Sequence, residues 1–160
     1  MLLSETAQKL QRMGVQTLGV VASTPERTSL YFRYRPARIP MGADPDHVTH
    51  RAYGLPNVPL TAEIHQAVGA AAARQLGPDV PPAEAYDVLG RFDGYQVEEP
   101  DLAQFQQHQG QLTGQFLVDR EGLVTWASIE CARDGLAGVG QMASEEELLA
   151  AAQALRQGLR

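Results

Sequence analysis

The chain predicts an α/β domain, a mixed sheet with helices on both faces, and three observations carry that prediction. Helical and strand patterns alternate through the first 55 residues. A clear β-hairpin follows at 115–129, and the chain then returns to a helix. At 160 residues, 44% apolar and 20% charged, the chain suits one folded domain over its whole length, 1–160, with a single substantial core.

The first element is a helix. Leu3, Ala7, Leu10 and Met13 recur at helical spacing, and Gly14 stands where a helix commonly takes its left-handed last residue. From Val15 to Ala22 the chain is rich in Val and Leu, and Leu18-Gly19-Val20-Val21 is nearly continuously apolar, as in a buried parallel strand. Ser23, Thr24 and Pro25 then supply capping hydroxyls and a first-turn proline, so a helix carrying Leu30, Tyr31, Phe32 and Tyr34 begins here. Arg35-Pro36 ends it, because the proline ring disfavours helical dihedrals in the residue before it, and Ile39-Pro40-Met41 is extended. Asp44-Pro45-Asp46 places an acid at an N-cap and proline at the first helical position, which predicts a short helix through Val48 and Ala52 to Gly54.

Residues 56–111 read as a mostly helical insertion, with an alanine-rich helix near 61–76 and prolines at 56, 59, 78, 81, 82 and 100. Leu89, Phe92, Tyr95, Val97 and Phe105 give it apolar surface to dock on the sheet or on a second subunit, so a homodimer is among the expectations. Beyond it, Gln115–Val118 and Leu123–Ile129 flank the polar turn Asp119-Arg120-Glu121-Gly122. A glycine-punctuated loop from Gly135 to Gly140 leads to Ser144-Glu145-Glu146-Glu147, a capping box that opens the terminal helix.

Charge excludes some functions. A net charge of −6 and a pI near 5.1 give no basic footprint for nucleic acid or anionic lipid. The apolar start Met1-Leu2-Leu3 is too short for a signal sequence or a membrane span, so a cytoplasmic protein is expected, with neither nucleic acid nor membrane as a partner.

Three segments in order resemble the AhpC/TSA, peroxiredoxin-like branch of the thioredoxin superfamily: Gly14 to Ser23, Asp44-Pro45-Asp46 to Leu55, and Phe116 to Val124. The resemblance covers 1–55 and 112–158. It implies a thioredoxin-like sheet with flanking helices, no cofactor, and thiol-dependent peroxide or redox chemistry supported by a thiol reductant. The family's peroxidatic cysteine opens the helix before the Gly14 strand, where helix-terminal amides and an arginine stabilise thiolate. Here Met1 to Ser4 contain no cysteine, and the family's first central strand has no counterpart. Leu112-Thr113-Gly114 stands where many peroxiredoxins place an arginine, and threonine cannot supply that cation. Loss of the central strand bares two inner sheet edges. A longer natural chain, with its start codon assigned too far downstream, is the expectation that reconciles these features; a noncatalytic relative that uses the sheet and insertion for binding or assembly is the alternative.

Two further sets of residues remain. Cys131 is the sole cysteine, so no intramolecular disulfide or Cys-x-x-Cys pair can form. The resemblance places it at the active-site edge of the sheet, about 10 Å across two strand spacings, as a weak candidate for a resolving or sensing thiol; a small, partly buried loop side chain is the plainer reading. His47 and His50 lie one helical turn apart beside Asp44 and Asp46, a weak metal candidate set by the plainer account that the acids cap a helix and the histidines are solvated. Glu98, Glu99 and Asp101 read as a solvated loop.

Overall fold

The parallel strand read within Val15–Ala22 is present but short, and it is half-buried with Leu18 exposed, which corrects the expectation of a buried strand. In the computed structural model, which describes residues 2–77, 81, 84, 88, 94 and 98–158, β1 (Gly19–Val21) and β2 (Met41–Ala43) run parallel with Gly19 opposite Met41, and α2 (Pro25–Tyr34) forms the crossover between them. A parallel pair needs such a long connection, and a helix is its usual form. The Thr24 side chain caps α2 by accepting from the Arg27 N–H at 3.3 Å, with Pro25 in the first turn. Before this unit, α1 (Leu2–Arg12) ends as expected: Gly14 takes φ +82° and the Val15 N–H donates to the Leu10 carbonyl.

Two compact units divide the chain. The first comprises residues 1–49, 114–128 and 142–160, and its core is built from α1, the hairpin and the terminal helix. The hairpin strands, β5 (Gly114–Val118) and β6 (Val124–Ile129, whose last residue falls in the second unit), are joined by a turn organised by Asp119, whose Oδ1 accepts from the N–H groups of Glu121 and Leu123. The terminal helix, here α6 (Glu145–Gly158), opens on a complete capping box. The Ser144 hydroxyl accepts from the Glu147 N–H at 3.1 Å, and the Glu147 carboxylate accepts from the Ser144 N–H at 2.8 Å. Leu10 of α1, Leu117 of β5, and Leu148 and Ala152 of α6 form the buried cluster, with Met13, Val15, Trp126 and Leu155 packed around it. Ala152 has no exposed surface, a small side chain at the centre of the cluster. Each leucine of the cluster, nearly but not fully buried, contributes at most about 1.5–3 kcal/mol relative to exposure.

The second unit comprises residues 50–113 and 129–141. Its base is the antiparallel pair β3 (Asn57–Val58) and β4 (Gly110–Gln111), with Val58 opposite Gly110. This clasp brings together the two ends of the 59–109 segment. Within it, α4 (Ala62–Leu76) is capped by the Thr61 hydroxyl and ends at Gly77, and α5 (Glu99–His108) follows. Ile64, Gly69, Ala71 and Ala72 are buried on α4. Leu89, Phe92, Tyr95 and Val97 lie outside the described residues, and Phe105 falls on α5.

Three expectations are corrected. The short helix α3 (Val48–Ala52) starts later than Asp44-Pro45 suggests: His47 adopts φ +55°, which no right-handed helix accommodates, so Pro45 sits in a turn and Asp44 Oδ1 caps the Val48 N–H at 2.8 Å. Glu99 and Asp101 are in the first turn of a helix, where acids oppose the positive dipole end, and the Asp101 carboxylate accepts from the Glu98 N–H. Finally, the chain is α/β, but among the described residues its strands form three separate two-stranded sheets instead of one mixed sheet. Peptide groups on the β1 edge away from β2 meet no strand among the described residues.

Candidate functional site

Cys131 sits where β6 gives way to the glycine loop, in the second unit. Its backbone is left-handed at φ +63°, an uncommon conformation for a residue with a side chain. The backbone around it leaves little room: a Cβ on Gly138 would lie 3.3 Å from the Cys131 Cα. Gly135 N–H donates to the Cys131 carbonyl, which turns the chain into the 3-10 turn Gly135–Gly138.

Glu130 organises this loop, and it is the residue that reading the sequence overlooks. Its carboxylate, 9% exposed, accepts from the Thr113 N–H at 2.8 Å through one oxygen and from the Gly140 N–H at 2.6 Å through the other. Its own N–H donates to the Thr113 carbonyl at 2.9 Å. One buried carboxylate thus joins the residue before β5, the end of β6 and the far end of the glycine loop, and its two side-chain bonds are charge-assisted. The loop is fixed to α4 as well: Arg74 Nη2 donates to the Val139 carbonyl at 2.6 Å, and Gly140, at φ +72°, lies so close to Ala71 that a Cβ there would stand 2.8 Å from the Ala71 Cβ. The signal in the sequence is an acid directly after an apolar strand, at the entrance to the stretch that carries Gly135, Gly138 and Gly140, where a buried acceptor for loop amides is needed.

This environment suppresses the thiol. Desolvation, followed by the negative charge of Glu130, pushes the Cys131 pKa above that of an ordinary cysteine. A thiol so placed is protonated at neutral pH and a poor nucleophile. Thr113 contributes its backbone to Glu130 and its side chain is exposed, and the charge named by the Cys131 pKa shift is that of the Glu130 carboxylate.

At the first turn of α1, where the resemblance would have a cysteine, the hydroxyl of Ser4 accepts from the Arg38 N–H at 3.0 Å. His47 and His50 are buried, 2% and 8% exposed, which corrects the expectation of solvated histidines. Only His50 belongs to α3, so the two do not share a helix face. Among the described residues no group of three or more His, Cys, Asp or Glu is arranged to hold a metal ion, and no helix is long and apolar enough to cross a membrane. No family model, curated protein or solved structure matches the chain.

Proposed function

We propose that the chain is a peroxiredoxin-like, thioredoxin-fold protein, related to thiol-dependent peroxide chemistry but without a catalytic cysteine of its own. The observation that supports this reading is the order of elements in the first unit: a parallel β1-α2-β2 unit, then a hairpin and a terminal helix that share one core with α1. In this reading the open edge of β1 is where a further central strand would pair, and a thiol reductant would serve a form of the protein that carries the nucleophile. The coding DNA immediately upstream of Met1 tests it. An in-frame strand followed by a cysteine at the entrance to α1 supports the peroxidase lineage, and an in-frame stop codon directly upstream overturns the expectation of a longer, thiol-bearing form and favours the noncatalytic reading.

A specific observation favours a second reading, a noncatalytic binding or assembly protein. Ser4 is engaged with backbone at the start of α1, and Thr113 supplies an amide in place of a cation. The third reading, a redox sensor acting through Cys131, is weakened by the raised pKa of that thiol.

A further inference from the structure

No further inference is drawn: the strongest candidate, the outer edge of β1, where the Val20 peptide groups point away from β2 beside an exposed Leu18, is a strand edge without a strand partner among the described residues, and nothing in the structure shows what covers it.

Discussion

Glu130 ties together three separate stretches of the second unit through one side chain. Two backbone amides from distant stretches of chain depend on its two oxygens, so Glu130→Ala leaves both without their acceptor in a site that admits little water. Losing bonds to a buried charged group costs about 2–4 kcal/mol in total. Urea unfolding should show that loss, with a smaller one for Glu130→Gln, whose amide keeps one acceptor oxygen; equal stability of wild type and Glu130→Ala would refute the clamp. The same carboxylate bears on its neighbour. Because burial and then the Glu130 charge raise the Cys131 pKa, the thiolate fraction stays low through neutral pH and grows only above the range of a free thiol. Iodoacetamide alkylation followed against pH should therefore have a higher midpoint than a cysteine peptide, and a midpoint at or below the peptide's would show that the thiol is activated after all. Cys131 could be singled out from sequence because it is the only cysteine, yet its surroundings could not. Its environment is set by Gly138 and by a carboxylate held through residues 113 and 140, partners that no local pattern names.

The elements most legible in the sequence are those whose signals are local. Thr24 with Pro25, Ser144 with Glu147, Gly14, and Asp119 in its turn each act within four residues, and each forms the contact its chemistry predicts. His47 shows the limit. A left-handed residue moved the start of α3 past a cap-and-proline pattern that reads plausibly as a helix start. Packing between elements adds contacts that spacing does not reveal, such as the tie between α1 and α6. The Glu145 carboxylate accepts from the Thr6 hydroxyl at 2.7 Å and pairs with Lys9, and these partners, Lys9 first, hold its pKa below the usual 4.5. The folded state thus favours the ionised form. The stabilisation is present above the unfolded carboxylate pKa and is lost as pH falls through the lower folded value. Glu145 is about one-third exposed and Lys9 more so, and their ion pair is screened by salt, so the effect is small. An acid titration of stability at low ionic strength should be shallower in Glu145→Gln than in wild type below pH 4.5, and identical slopes would show that the pair does not couple α1 to α6.

At the scale of the whole molecule, the sequence shows which segments are strands far better than which strands meet. Hydrophobic runs mark β1, β5 and β6, but the pairing of edges is a nonlocal choice, and among the described residues β1–β2 and β5–β6 remain separate pairs. The state of the single thiol bears on any thiol-dependent chemistry of the chain. A thiol peroxidase needs a thiolate at neutral pH and donors or a cation to polarise the peroxide O–O bond as it breaks. This chain has one thiol, its pKa is raised, and the charge beside it is negative. Peroxide approaching Cys131 would meet a neutral thiol, and a developing negative charge on the leaving oxygen would be opposed by Glu130. The purified chain should therefore consume hydrogen peroxide in the presence of a thiol reductant at the rate of the reductant alone, and Cys131→Ser should leave that rate unchanged. Peroxide consumption above background that disappears in Cys131→Ser would assign turnover to Cys131 and overturn the noncatalytic account, whereas consumption that survives the substitution would place the chemistry elsewhere in the chain.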